Sequence, residues 1–274
     1  MKRTIFIIVI AIGSFFYAGC EDPMMYVDRT PPSAPTGVIV DNGDNMAIVS
    51  WNYNRESDVA GYNVYSSSSY NGKYYLIGST SGTYFNDYGI QNGTKYYYAI
   101  TAYDYDNNES ELSYEDAYSA PRPEGFNQAI FDYHLYPSLS GYSFATESVV
   151  ADTSALSDFY FDVTGGVYYL DVFNDSDIKD MGRTSSIYDI ASAPASGWST
   201  TKDAVAIVGH TYVIWTVDNH FAKVRISSLT SQRVVFDWAY QTIAGEVTLK
   251  IAISRQAREP ITQSAVMHKR IAVQ

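Results

Sequence analysis

From Met46 onward the chain is written in short runs in which apolar and polar residues alternate. The runs recur every eight to twelve residues with Gly, Asn, Asp or Pro between them, and no stretch sustains a 3.6-residue period. A period of two puts every second side chain on one face of extended backbone, so the pattern predicts half-buried strands, few helices and an all-β chain. In Met46 to Tyr53, residues Ala47, Val49 and Trp51 share a face, and Trp51 is the expected plug between two sheets. Gly61-Tyr62-Asn63-Val64-Tyr65 repeats the alternation with Tyr62 and Val64 inward, and Thr94 to Asp104 aligns Tyr96, Tyr98, Ile100 and Ala102.

A stiff polar stretch, Pro121-Arg122-Pro123-Glu124-Gly125, interrupts the pattern, which resumes at Ala129. A second β domain is expected from there, over residues 125 to 254. Its strands are expected at Ala129 to Tyr136, Ser143 to Val150, Phe159 to Val163, Val167 to Phe173, Ala204 to Val208, His210 to Val217, His220 to Ser227, Val234 to Gln241 and Glu246 to Ser254. Gly165-Gly166 predicts a tight hairpin. Asp218-Asn219 predicts another, and a two-residue loop there opposes Val217 to His220, Trp215 to Ala222, Val213 to Val224 and Thr211 to Ile226. That register makes one apolar core face and one mixed face bearing Tyr212, Ile214, Phe221, Lys223 and Arg225. Aromatic rings beside cations suit stacking on a sugar, a planar ligand or a protein partner, so these five residues are the candidate binding face; the alternative is a face covered by another strand, loop or domain. Val234, Phe236, Trp238 and Tyr240 belong to the core.

In residues 32 to 121 several features fall in the order seen in fibronectin type III domains, which this segment resembles. They are Pro31-Pro32-Ser33-Ala34-Pro35, the Trp51 strand, Gly61-Tyr62-Asn63-Val64-Tyr65, Ile90 six residues before Tyr96, and Ala102-Tyr103-Asp104. The resemblance implies an immunoglobulin-like sandwich that serves as spacer or binding module, with Tyr96 as the tyrosine-corner residue whose hydroxyl bonds back to nearby backbone. The stretch from Gly209 to Ile226, with Val235 to Gln241, resembles the last strands of HmuY-type β domains of surface lipoproteins, and Phe144 to Val150 followed by Asp158 to Phe161 is similar in order. That likeness implies a second antiparallel sandwich-like domain. Some members of that family bind haem through paired side chains, but no paired-histidine motif carries over here.

At the other end of the chain, Lys2 and Arg3 precede a thirteen-residue apolar run, Thr4 to Phe16, too short to span a bilayer and suited to a secretory signal in residues 1 to 19. Tyr17-Ala18-Gly19-Cys20 resembles a bacterial lipobox, with Tyr17 where Leu is usual. The implied acylation of Cys20 would leave a lipoprotein anchored to the cell envelope, in the outer membrane, with residues 20 to 31 as tether. Glu21-Asp22 resembles the acidic sorting signals of surface-exported lipoproteins.

The 18 Lys and Arg against 30 Asp and Glu give a net charge of -12, which argues against nucleic acid as a partner. Loss of Lys2 and Arg3 with the signal takes the mature chain to -14, so the membrane link is acyl rather than electrostatic. One cysteine excludes an internal disulfide or a thiolate zinc site.

For an enzyme there is little chemistry to name. His134, His210, His220 and His268 show no metal-ligand spacing, and no glycine-rich phosphate loop, Gly-x-Ser-x-Gly elbow or cysteine nucleophile occurs. Asp218 with His220 reads as a turn residue and a strand-end histidine rather than an acid–base pair. In the loop from Asp104 to Glu109, Asp104, Asp106 and Asn108 are a weak calcium candidate. Glu115 stands twelfth, but Glu109 occupies the sixth position, where an EF-hand needs Gly, and a solvated turn is preferred. No cofactor is expected. The tail 255 to 274 carries Arg255, Arg258, Lys269 and Arg270 against Glu259 and suits docking on an acidic body or disorder. The chain thus reads as a non-catalytic, membrane-anchored binding, adhesion or surface-assembly module. A haem- or glycan-capturing uptake lipoprotein is the alternative and an envelope hydrolase a remote one.

Overall fold

A computed structural model describes residues 28–249, 252–257 and 266–267, the last two segments as backbone. Cys20, Glu21-Asp22, the signal, most of the tether and His268 lie outside the described residues.

The chain is all-β: one antiparallel sandwich, over the segment where a fibronectin type III domain was expected, followed by a second. In the first, β1 (Ile39–Gly43), β2 (Met46–Ser50) and β5 (Tyr84–Tyr88) form one sheet in the order β1-β2-β5. Facing it, β3 (Val59–Ser67), β4 (Tyr74–Thr80), β6 (Tyr96–Asp104) and β7 (Glu115–Ser119) are arranged β7-β6-β3-β4. The alternation read from sequence is the reason these two sheets can meet. Ala47, Val49, Trp51, Tyr62, Val64, Tyr98, Ile100 and Ala102 all point into one core and are at most 5% exposed. Trp51 lies edge-on to Tyr62 with ring centroids 5.3 Å apart, the geometry favoured by the aromatic quadrupole. The Tyr96 hydroxyl accepts a hydrogen bond from the Gln91 backbone N–H at 3.0 Å, so the tyrosine corner is present.

The second sandwich follows β8 (Glu124–Phe131). Its first sheet runs β10-β9-β11-β12-β14, from β9 (Gly141–Ser143), β10 (Ser148–Val150), β11 (Phe159–Thr164), β12 (Val167–Val172) and β14 (Asp203–Val205). The other runs β13-β15-β16-β17-β8, with β13 (Asp177–Arg183), β15 (His210–Trp215), β16 (Phe221–Leu229) and β17 (Arg233–Gln241). Thr164 pairs with Val167 across Gly165-Gly166, and both glycines have positive φ (61° and 78°), as a two-residue hairpin loop requires. Between the sheets lies an aromatic core in which Tyr142, Phe144, Phe159, Phe236 and Tyr240 stack or meet edge to face, with Trp238 tilted against Tyr142 and Phe144.

Two features depart from the expected layout. The strand expected at Glu246 to Ser254 is displaced: β18 (Ala252–Ala257) pairs with β7, and β19 (Val266–Met267) pairs with β4, so the chain returns to the first sandwich after completing the second. The Pro121–Gly125 break is also not a solvated spacer. Pro121, Arg122 and Pro123 are buried, and Arg122 is 0% exposed. Its backbone N–H donates to Gly43 O in the first domain (3.2 Å). Its guanidinium donates to Leu249 O (3.0 Å) and pairs with Glu124 Oε2 (3.1 Å) in the second. Tyr188 OH donates to the other Glu124 oxygen at 2.6 Å. Burial pushes the guanidinium pKa down and Glu124 pulls it back up. Lys95 in the first domain adds an ion pair with Glu246.

Trp51→Ala is expected to remove about 3–5 kcal/mol from the first sandwich. Glu124→Ala, which strands a buried cation, is expected to cost about 3–5 kcal/mol. Urea denaturation of each variant measures both losses.

Candidate functional site

The β15–β16 hairpin is where sequence placed the binding face, and its turn is built differently from the expectation. Asn219 N–H donates to Thr216 O at 3.0 Å, Thr216 N–H donates to His220 O at 2.9 Å, and Asn219 has φ 66°. This is a three-residue loop, Val217-Asp218-Asn219, with its last residue in the left-handed region, instead of the two-residue Asp218-Asn219 loop. One extra loop residue shifts the pairing by one. Trp215 lies opposite Phe221, Ile214 opposite Ala222, Val213 opposite Lys223, Tyr212 opposite Val224 and Thr211 opposite Arg225.

The five predicted residues are therefore divided between the two faces of the sheet. Tyr212 and Ile214, both 0% exposed, point into the aromatic core with Ala222 and Val224. The Tyr212 hydroxyl donates to Val205 O (2.7 Å) and accepts from Ile207 N (2.9 Å), and burial pushes its pKa up. Phe221, Lys223 and Arg225 lie on the opposite face, which the 184–198 segment covers. Phe221 and Val213 pack there with Leu249, Met181, Ile190, Ala193 and Trp198. Lys223 is fully buried, and its Nζ donates to Ile190 O at 3.1 Å. Arg225 donates to Thr184 Oγ1 and to Thr184 O at 3.2 and 3.0 Å. A short helical turn at Ile187–Asp189, capped reciprocally by Ser186 and Asp189, fixes the path of this cover. No open face carries all five side chains.

What remains open is the end of that face. Trp215, expected in the core, is 37% exposed and stacks on Phe221 (5.5 Å), while Trp198 adds a third ring at 5.9 Å from Trp215. Its indole N–H donates to Asn219 Oδ1 at 3.0 Å, which fixes the ring plane. Beside it is a cleft of about 240 Å³ lined by Asp175, Asp177, Trp215, Thr216, Val217 and Asn219. Lys202 Nζ holds Asp177 Oδ1 at 2.8 Å, and Asp175 is exposed. An oriented aromatic plate edged by hydrogen-bonding groups suits a polar ligand with one apolar face. Sequence reasoning missed the site because it assigned Trp215 to the wrong side; the Trp215–Asn219 spacing across the turn was the available signal.

The other candidates resolve as follows. Asp218 Oδ1 accepts from Thr216 Oγ1, and its Oδ2 is 3.8 Å from His220 Nε2, while His220 Nδ1 lies 3.0 Å from Gln241 O; both residues serve the turn. Asp104 uses both carboxylate oxygens on its own loop, accepting from the backbone N–H groups of Asp106 and Asn108 and from Asn108 Nδ2. The carboxylates gathered near it are Asp28 and Asp58, not Asp106. Behind the hairpin turn, Asp158 accepts from Phe144 N–H at 2.7 Å. Burial pushes its carboxyl up to about 6, Asp218 adds to the rise, and the Phe144 bond and His220 oppose it.

No family model matches the chain. It is 41% identical over 101 residues to an amylopullulanase of Thermoanaerobacterium saccharolyticum and 44% identical over 96 residues to an amylopullulanase of Thermoanaerobacterium thermosulfurigenes. The matches cover 36% and 34% of this chain, and span only 8% and 5% of those relatives. Among solved structures, an Fn3-like protein from Clostridium thermocellum is 29% identical over 33% of this chain and 91% of that one (TM-score 0.28). A DUF4466 family protein from Parabacteroides merdae is 10% identical, covering 77% of this chain and 99% of that one (TM-score 0.40).

Two outcomes follow from the geometry. Phe221→Ala is expected to destabilise the second domain by about 3–5 kcal/mol, and Trp215→Ala by clearly less because its ring is partly in water; thermal melts compare them. The Asp158 carboxyl binds its proton more tightly folded than unfolded, so its contribution to stability falls as pH rises from about 4 to about 6. Asp158→Asn keeps an acceptor for Phe144 and removes the charge. Its stability relative to the parent is expected to rise across that window and then level off, as read by urea titrations at successive pH values.

Proposed function

We propose that this chain is a non-catalytic binding module held at the cell envelope by an acylated Cys20, with the first sandwich as spacer and a polysaccharide as the ligand of the second. The observation that supports this most directly is the Trp215 ring, 37% exposed and held in plane by Asn219. A sugar ring presents an apolar C–H face to such an indole and hydroxyls to the oxygens of Asn219, Asp175 and Asp177 around it. A net charge of -12 suits a neutral ligand better than a polyanion. The stretches shared with the amylopullulanases are about as long as the first sandwich and make up less than a tenth of those chains, as a spacer domain joined to different partners would. The buried Arg122 contacts suit a spacer that presents its neighbour in one orientation.

Cys20→Ala is expected to move the protein from the membrane fraction to the soluble fraction, with loss of acyl mass on the N-terminal fragment. Affinity electrophoresis against a polysaccharide panel that includes pullulan is expected to retard the parent and to lose that retardation in Trp215→Ala, a change of about 1–3 kcal/mol in affinity. Retardation unchanged by Trp215→Ala would move the ligand elsewhere. No retardation by any polysaccharide, with capture by a protein partner instead, would replace the glycan with the protein ligand.

A further inference from the structure

Where β8 ends, three side chains of two chemistries converge away from the Trp215 corner. Ligand atoms of Asp132, His134 and Asp162 all lie within 4.8 Å of one another. Backbone pairing brings them together across thirty residues of sequence. Asp132 bridges to Phe161 in parallel, Tyr133 N–H donates to Phe161 O at 3.1 Å, and Val163 N–H donates to Asp132 Oδ1 at 3.1 Å. Asp132 N–H donates to Gln232 O at 2.8 Å, which ties the same residue to the loop before β17.

The side chains are poised for more than a turn. Asp132 is 4% exposed, and its carboxylate receives one hydrogen bond, on Oδ1, among the described residues; Oδ2 receives none. His134 Nε2 is 3.2 Å from Asp162 Oδ1, and the His134 side chain is 47% exposed, which leaves the cluster open to solvent on one side. Thr164 Oγ1 donates to Asp162 Oδ1 at 2.9 Å and lies 3.5 Å from His134 Nε2. Zinc bonds to His nitrogen and carboxylate oxygen are about 2.0–2.2 Å, so the ligand atoms of a tetrahedral site are about 3.3–3.6 Å apart. The His134–Asp162 separation already has nearly that length.

We propose that Asp132, His134 and Asp162 form a site for a divalent first-row transition metal such as Zn²⁺, with Thr164 orienting Asp162 from outside the ligand set and the solvent side left for water or another ligand. An imidazole among two carboxylates selects zinc-like ions over calcium or magnesium, which take oxygen ligands. Carboxylates that ligate metals are themselves held by hydrogen bonds, the part Thr164 plays for Asp162.

Calorimetric titration of the full-length protein with ZnCl₂ tests the site, with CaCl₂ as the contrast. The expected result is one Zn²⁺ per chain and a higher melting temperature in its presence. His134→Ala and Asp162→Asn are each expected to weaken binding at least about tenfold and to lose the thermal shift. His134→Gln serves as a second variant if Asp162→Asn lowers folding yield, and Co²⁺ in the parent should show the visible d–d bands of a low-coordinate site. His210→Ala, at the separate His210–Asp180 pair, is expected to leave binding unchanged. Absence of stoichiometric Zn²⁺ binding, equal binding by the parent and the His134 variants, or a preference for Ca²⁺ would overturn the proposal and leave His134–Asp162 as a plain ion pair.

Discussion

A guanidinium removed from water has to be answered by oxygen atoms, and Arg122 is answered by the second domain through Leu249 O and Glu124 while its own backbone is held by Gly43 of the first. Desolvating that cation costs several kcal/mol unless these partners stay in place. The relation between the two sandwiches follows from this constraint, because Glu124 opens β8 and also takes the Tyr188 hydroxyl. Tyr188 belongs to the segment that covers the β15–β16 hairpin. The contacts that join the domains thus extend to the cover that buries Phe221 and Lys223 and leaves Trp215 partly exposed at the open end.

The cores were legible where a period of two met a buried face. Ala47, Val49 and Trp51, then Tyr62 and Val64, then Val234, Phe236, Trp238 and Tyr240 announce their inward side without any knowledge of partners, because burial of alternate residues is a local property. The Tyr96 corner and the Gly165-Gly166 turn were legible for a similar reason, since each depends on a few neighbouring residues. Strand β13 was not anticipated. It is an edge strand, Asp-Ile-Lys-Asp-Met-Gly-Arg, in which Ile178 alone is fully buried, so it leaves almost no alternation to read.

Long-range facts were hidden for a different reason. Nothing in Pro-Arg-Pro-Glu-Gly distinguishes an arginine in solvent from one enclosed by residues more than a hundred positions away. Asp132 and His134 sit two apart, a spacing shared by any turn, and acquire a third neighbour only because β11 runs beside the end of β8. The face predicted for binding failed on pairing, not on alternation. The alternation within each strand was read properly, and so was the inward side of β16, but β15 was joined to it out of phase, so that its inward and outward sets were exchanged. Trp215 and Phe221, assigned to opposite sides, became stacked neighbours.

The Val217-Asp218-Asn219 loop consequently works like a reading frame for side chains. Its fold tolerates a change of composition wherever position 219 keeps the left-handed backbone, with the Asn219 side chain needed only to hold Trp215, but it does not tolerate a change of length. Removing one residue would turn β16 over relative to β15, carrying Lys223 and Arg225 toward the aromatic core and Ala222 and Val224 toward the cover. Removing or adding two would restore the phase. Homologous chains should therefore vary more at Val217 and Asp218 than at Asn219, whose side chain holds the Trp215 ring, while indels of a single residue are selected against, as a frameshift is in a gene.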